Sequence, residues 1–293
     1  MTDRPEVSAI IIVYNGMKFL PDCLTTLVAD TISISHEIIA VDNGSSDGSA
    51  DYIANAFPAV KIIRNGANLG FARAVNIGLQ AASGRYLYVL NQDLRFRPGA
   101  TSTLLAKLKG DDSLGMIGPK YVGFDGHLQH SARAFPTCKH VWYDALFLSH
   151  WLPSSREFGS WRMTWFDHES EMFVDQPMGS VMLMPRGVIA RVGLLDESFP
   201  IFFNDVDYCK RIRAAGYRLM YFPTAVVEHY VGGSTRKRPV RMKIESHRSM
   251  YRYLKKNARW YQYPALWLTG VVLLVGLLPV LFRAGLISFR RAT

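Results

Sequence analysis

Along the first ninety positions, hydrophobic residues fall into two alternating patterns. The runs at 7–13 (VSAIIIV), 36–41 (HEIIAV), 60–64 and 86–90 (YLYVL) are short, β-branched or aromatic, and almost uninterrupted. Such runs mark strands buried on both faces of a parallel sheet. Between them, residues 18–29, 49–56 and 71–82 carry apolar positions at helical spacing, as in Phe19, Leu20, Leu24, Leu27 and Val28. Strand and helix in strict alternation predict an α/β fold, a Rossmann-like, mostly parallel sheet with flanking helices. Further along, 177–183 reads as a strand, 186–192 as a short helix and 202–215 as a turn entering a helix. Residues 218–222 and 225–227 read as strand pieces. Residues 120–175 are rich in Trp, Phe and His without clear periodicity, and are expected to form irregular loops and short elements over a site.

Polar clusters punctuate the strand ends: Tyr14-Asn15 after the first, Asp42-Asn43 after the second, Asn91-Gln92-Asp93 after the fourth. Ligands of open α/β sheets bind at the carboxyl ends of strands, so a nucleotide-type site is expected in the N-terminal half. Asp93 has two readings, a hard-oxygen ligand for Mg²⁺ or Mn²⁺ bridging a diphosphate, or a turn or helix cap. Asp205 and Asp207 precede a basic helix. One of them is placed to take a proton from an attacking hydroxyl, or they cap the helix, Asp207 being the better cap. His229 follows a strand and suits a metal or phosphate contact, or a structural role. Gly232-Gly233-Ser234 lets backbone N–H groups approach phosphate oxygens. Arg236, Lys237 and Arg238 suit a diphosphate or anionic lipid headgroups.

Charge and composition sharpen this picture near the C-terminus. The 293-residue chain has a formal net charge of +10, and ten Lys/Arg against one acidic residue, Glu245, lie between positions 236 and 259. Residues 265–282 (ALWLTGVVLLVGLLPVLF) carry no charge and, as a helix, measure roughly 27 Å, close to a bilayer core. Trp260, Tyr261, Tyr263 and Trp267 stand at its entry like an interfacial aromatic belt. Three readings are open: a membrane span, a re-entrant or interfacial helix broken at Pro279, and a buried core helix. The basic run adjoins this apolar segment, which favours an anionic membrane surface over nucleic acid as partner. Its heavier flank is N-terminal and no signal peptide is visible, so the catalytic part is expected on the cytoplasmic face of the membrane. Cys23, Cys138 and Cys209 are widely separated, without disulfide or zinc spacing. Two domains are expected, a catalytic domain at 1–235 and a basic amphipathic linker with an apolar membrane-associated segment at 236–293.

In order, SAIIIVYN (8–15), VDNGSSD (41–47), NLGFARAVN (68–76), LNQD (90–93), GSVMLMP (179–185), DESFPIFFNDVD (196–207) and EHYVGGS (228–234) resemble family 2 glycosyltransferases of the GT-A fold, in particular a rhamnosyltransferase-like branch. The resemblance covers about residues 7–235. It implies that Val13, Tyr14 and Asn15 line a nucleoside pocket with Asp42 on the base or ribose. It further implies that Asn68, Gly70, Phe71 and Asn76 wall the nucleotide from the sugar, and that Asn91, Gln92 and Arg236 belong to the nucleotide-sugar site. Asp93 would be the remaining metal ligand of a D-x-D-type motif, with His229 beside metal and diphosphate. Asp205 would be the catalytic base, with Gly179, Ser180 and Asn204 toward the acceptor. Two positions depart from the pattern: Asn91 replaces the first aspartate of D-x-D, and Asn204 the Glu of a Glu-Asp pair.

The reaction expected from this resemblance is inverting transfer of a sugar from a nucleotide-sugar, a dTDP- or UDP-sugar with dTDP-L-rhamnose the first choice. The acceptor is a hydroxyl of a polyprenyl-diphosphate-linked glycan in cell-envelope polysaccharide synthesis, and Mg²⁺ or Mn²⁺ is the cofactor. Two rivals are weighed against it. A nucleotidyltransferase usually has a Gly-rich loop after the first strand, where this chain has only Gly16. A non-catalytic sugar- or lipid-binding membrane protein is suggested by Asn91 and Asn204.

Overall fold

The computed structural model of the chain describes residues 4–230, 239–279 and 281–282. Arg236, the Gly232-Gly233-Ser234 run and the basic residues after Phe282 lie outside them. Contacts gather the chain into two compact units: Met1–Arg133 with Asp167–Ser234, and Ala134–Phe166 with Thr235–Thr293. The aromatic stretch 134–166 therefore groups with the C-terminal segment.

In chain order the elements are β1 (Val7–Val13), α1 (Leu20–Thr31), β2 (His36–Asp42), α2 (Ser49–Ala56), β3 (Lys61–Arg64), α3 (Phe71–Ala81), β4 (Tyr86–Asn91) and β5 (Leu94–Phe96). There follow α4 (Ala100–Lys109), β6 (Leu114–Val122), β7 (Leu128–Gln129), β8 (Ala132–Arg133), α5 (Cys138–Ala145), α6 (Leu148–Trp151), β9 (Met172–Val174), β10 (Gln176–Pro177) and β11 (Val181–Pro185). The last are α7 (Arg186–Val192), α8 (Asn204–Ala214), β12 (Arg218–His229), α9 (Pro239–Asn257) and α10 (Tyr263–Val275).

The main sheet of the first unit runs β3-β2-β1-β4-β11-β6-β12-β5. Its first four strands are parallel, as their hydrophobic runs predict. All seven residues of β1 are buried, because both faces of the sheet are covered. Ala9, Ile11 and Val13 share a core cluster with Leu20, Leu24 and Leu27 of α1 and with Leu104, Leu105 and Leu108 of α4. Ile10, pointing the other way along the strand, packs under α3. Each of the Val, Leu and Ile side chains contributes about 1.5–3 kcal/mol by leaving water.

The sheet is mixed, because β11 enters antiparallel between β4 and β6, and β5 pairs antiparallel with β12. The two strand pieces expected at 218–227 are one strand, with a register shift between Phe222 and Val226. Pro223 lies inside that shift, where the missing N–H costs no ladder bond. Residues 120–175 hold more regular structure than their composition suggests: the end of β6, the strands β7 to β9, and the helices α5 and α6.

In the second unit, the Trp142 indole N–H on α5 donates to Thr269 Oγ1 on α10 (3.0 Å), and His247 Nδ1 on α9 donates to the Leu273 carbonyl (2.8 Å). Met250, Tyr253 and Leu254 of α9 and Leu266 and Leu273 of α10 are buried, whereas Arg241, Lys243, Arg248, Arg252, Lys255 and Lys256 of α9 are all exposed. The apolar run at 265–282 begins inside α10 and breaks at a turn over Gly276-Leu277. Among the described residues no helix is long and apolar enough to cross a membrane.

Candidate active site

The register pairs Val13 with Asp42 and Ile12 with Asn91, so the carboxyl ends of β1, β2 and β4 lie level. The loops leaving them are tied together. Asn15, at a positive φ of 47°, accepts the Ser46 N–H on its side-chain oxygen (2.8 Å), and its own N–H donates to Ser45 Oγ (3.0 Å). Asp42 is buried and accepts the Ser45 N–H (3.2 Å). Asn43, marked in the sequence only as part of the polar cluster after the second strand, is a hub. Its side-chain oxygen accepts from Leu69 N and Asn65 Nδ2, and its amide donates to Asn68 Oδ1 and the Gly70 carbonyl. Gly70 adopts φ +88°, and a Cβ there would lie 3.1 Å from Pro200, so only glycine suits this junction.

A second cluster forms where β4, β11 and β12 meet. Asn91 Nδ2 donates to Ser180 Oγ (3.3 Å), and Ser180 Oγ lies 3.3 Å from His229 Nε2. His229 Nε2 is 3.7 Å from Asp93 Oδ1. Burial pushes the Asp93 carboxyl up to about 6 and the His229 imidazole down to about 4. Near neutral pH the imidazole is therefore uncharged, and the Asp93 contact is not an ion pair. Tyr121 packs edge-on against the His229 ring, with centroids 5.8 Å apart. Gln129 holds the ring's other nitrogen and the His229 backbone carbonyl.

Asp205 opens α8. Its Oδ2 accepts from Gln176 Nε2 (2.7 Å) and its Oδ1 from the Val206 N–H (2.9 Å). Burial raises its carboxyl above the ordinary range, while these two bonds and the nearby Arg133 guanidinium hold part of that rise back. Arg133 and Gln176, both missed in the sequence, are cross-strand partners in the small β8–β10 sheet. Their two-residue strands are too short to leave a periodic signal.

Gly179 and Ser180 join the two clusters. A Cβ on Gly179 would fall 2.6 Å from Asp205 Cβ and 2.7 Å from its Oδ2. The next residue, Ser180, touches both Asn91 and His229. Asp205, Gly179, Ser180, His229 and Asp93 thus form one contiguous chain at one edge of the sheet.

Several expected contacts take another form. Val13 is fully buried in the core cluster, so its side chain fills the sheet interior instead of lining a nucleoside pocket. Gln92 spends its amide on the Tyr14 backbone, accepting from Tyr14 N (2.9 Å) and donating to Tyr14 O (3.0 Å), so it positions Tyr14. Asn76 is buried and bonds Leu195 N, Leu195 O and Glu197, so it anchors the segment leading to Asp205 and does not wall a sugar. Asn204 is buried, and its amide donates to the Ile201 carbonyl (2.7 Å), so it shapes the turn before α8 in place of meeting an acceptor. Asp207 pairs with Arg211 one turn along (2.9 Å), in place of capping α8. Tyr14, Asn15, Asn68 and Phe71 keep partial or full exposure on the loops around the site.

Asp93 and His229 have the donor chemistry of a cation site. The anionic carboxylate and the lone pair of a neutral imidazole face each other across 3.7 Å, and Asn91 Oδ1 is buried beside them without a hydrogen-bond partner. Oxygen and imidazole donors of this kind fit a divalent cation. Among the described residues no group of three or more His, Cys, Asp or Glu is disposed to hold a metal. A cation held by this pair would leave coordination positions open to other oxygen donors, such as a bound diphosphate or water.

Comparison with known proteins gives three findings. A family model described as "Glycosyl transferase family 2" matches residues 8–165. The N-acetylglucosaminyl-diphospho-decaprenol L-rhamnosyltransferase of Mycobacterium tuberculosis is 29% identical over 242 residues, 78% of each chain. Two solved structures share the fold at low identity. The mannosyltransferase PcManGT from Pyrobaculum calidifontis, in complex with GDP-Man and Mn²⁺, has TM-score 0.58 and 16% identity, covering 99% of this chain and 81% of that one. GalNAc-T7 with UDP, GalNAc and Mn²⁺ has TM-score 0.57 and 18% identity over 78% of this chain, which spans only 44% of that chain.

Proposed function

The chain belongs to glycosyl transferase family 2 and has the GT-A fold, and from that premise we propose that it is an inverting transferase for a deoxyhexose, L-rhamnose from dTDP-L-rhamnose being the first choice. The acceptor in this reading is a hydroxyl of a polyprenyl-diphosphate-linked sugar, the chemistry for which the mycobacterial relative is named. The observation that carries the reading is the chain of contacts from Asp205 through Gly179 and Ser180 to His229 and Asp93.

Asp205 is the general base. Burial raises its pKa above the usual carboxylate range, which makes it a stronger proton acceptor than an exposed aspartate. Gln176 and the Val206 N–H hold the carboxylate in one orientation. Tyr14, Asn15 and Asp42 face the nucleoside, and Asn68, Gly70 and Phe71 border the sugar. Asp93 and His229 would hold Mg²⁺ or Mn²⁺, which when bound offsets the negative charge on the departing diphosphate.

The same reading seats the enzyme on the cytoplasmic face of the membrane, where lipid-linked acceptors lie. It is supported by the outward-facing basic residues of α9 and by the exposed Trp260, Trp267, Leu274 and Val275 in and beside α10. Phe147 and Trp151 of the second unit are also exposed, at 60% and 70%, and stack on each other.

A donor panel tests the proposal. Nucleoside diphosphate release is followed with dTDP-, UDP- and GDP-sugars, with and without Mn²⁺, in the presence of a polyprenyl-diphosphate-GlcNAc acceptor. Acceptor-dependent release from dTDP-L-rhamnose supports it. Release from another donor alone overturns the sugar assignment, and no release from any donor overturns the reaction.

A further inference from the structure

The amide of Gln129 reads the His229 residue at two points. Gln129 Nε2 donates to the His229 backbone carbonyl at 2.7 Å, and Gln129 Oε1 lies 3.0 Å from His229 Nδ1. These two contacts fix each other's polarity. A carbonyl only accepts, so the NH₂ end of the amide must face it. Turning the amide over would place two lone-pair oxygens 2.7 Å apart. The oxygen end therefore faces Nδ1, and an oxygen can only accept from that nitrogen. In the singly protonated ring the proton sits on Nδ1, and Nε2 keeps its lone pair. That bare nitrogen is the one directed at Ser180 and Asp93.

The fold explains how a distant residue reaches this position. Gln129 pairs with Tyr121 across the β6–β7 ladder, and Tyr121 pairs with Val227 across the β6–β12 ladder, two residues before His229. Gln129 thus stands two strands away from β12, and its side chain spans the gap. Tyr121 lies between them and packs edge-on against the imidazole, so the ring is held both at its edge and at its Nδ1.

We propose that Gln129 is a positioning residue for the cation site: it sets the His229 tautomer and ring orientation that leave Nε2 free to ligate a divalent cation. The inference rests on the proposed metal role of His229. An acceptor on the far nitrogen of a ligating histidine both orients the ring and raises its basicity, and losing such a partner typically lowers metal affinity about 10- to 100-fold.

The test uses the full chain as wild type and as three variants: Gln129→Met, Gln129→Glu and His229→Ala. Two readouts are taken. The first is the ¹⁵N spectrum of the histidine rings without metal, with His229 assigned by its loss in His229→Ala. The second is Mn²⁺ affinity in the presence of dTDP, read from the EPR signal of free Mn²⁺. In wild type the His229 Nε2 signal should be that of a bare nitrogen and Nδ1 that of an N–H. Gln129→Met should mix the tautomers and weaken Mn²⁺ about 10-fold or more. Gln129→Glu keeps an acceptor at Nδ1 and should hold the wild-type tautomer, while its second oxygen loses the bond to the His229 carbonyl. An unchanged tautomer and affinity in Gln129→Met overturns the inference, as does an N–H at Nε2 in wild type. If His229→Ala binds Mn²⁺ as wild type does, the metal reading of His229 fails instead, and the spectra still decide whether Gln129 sets the tautomer.

Discussion

Asp93→Asn should stabilise the metal-free protein while abolishing its catalysis. Asp93 is largely buried, with 14% of its side chain exposed, and burial lifts its pKa from 3.8 to about 6. A carboxyl with a raised folded-state pKa binds more protons folded than unfolded. Its contribution therefore favours folding at low pH and is lost as pH rises through the folded value. The shift of roughly two units, at 1.36 kcal/mol each, sets the cost of ionising Asp93 in the fold at about 3 kcal/mol. Asparagine has nearly the same shape and no such cost. Urea unfolding of metal-free wild type and Asp93→Asn, followed from pH 4 to pH 8, should show equal stability at the acid end. A gap of about 1–3 kcal/mol in favour of the variant should open through pH 6. Mn²⁺ with dTDP should then raise wild type and leave the variant unmoved. A gap independent of pH, or a variant less stable at pH 8, refutes the assignment of Asp93 as a buried carboxylate kept for binding.

Other expectations follow from the same geometry. Gly179→Ala puts a methyl carbon 2.6 Å from Asp205 Cβ, so the Asp205 carboxylate must shift; kcat should fall on the order of 100-fold with donor KM nearly unchanged, read from initial rates. Asn76→Ala leaves the buried Leu195 N–H without its acceptor and should cost about 1–3 kcal/mol in urea unfolding. If Asp93 holds the cation as proposed, Mn²⁺ affinity in the presence of dTDP should weaken as pH falls through about 6, measurable by EPR titration. Ser substitutions at Phe147 and Trp151 together should reduce sedimentation with anionic vesicles while leaving turnover on a soluble acceptor unchanged.

How much of this was legible in the sequence depended on the range of each signal. The β3-β2-β1-β4 half carries hydrophobic runs long enough to declare buried strands, and its ligand loops sit directly after them. Asp93, Asp205 and His229 could be picked out because carboxylates and an imidazole stand at element ends. The antiparallel entry of β11 left no local mark, since VMLMP is equally apolar in either direction. Gln92, Asn76 and Asn204 resemble ligand-binding amides in sequence, yet each spends its amide on a backbone far from or adjacent to it. Gln129 and Gln176 stayed hidden because two-residue strands have no period, and their partners lie 100 and 29 positions away. Local pattern reports burial, whereas the pairing of an amide with a distant carbonyl is set only when the sheet closes.

The central claim is that Asp205 supplies the base at a site where Asp93 and His229 hold the diphosphate end of the donor. Single-turnover sugar transfer by Asp205→Asn, with donor affinity measured on the same preparation, tests it most directly. Transfer should slow by about 10²- to 10⁴-fold at unchanged donor affinity. Transfer at the wild-type rate would contradict it.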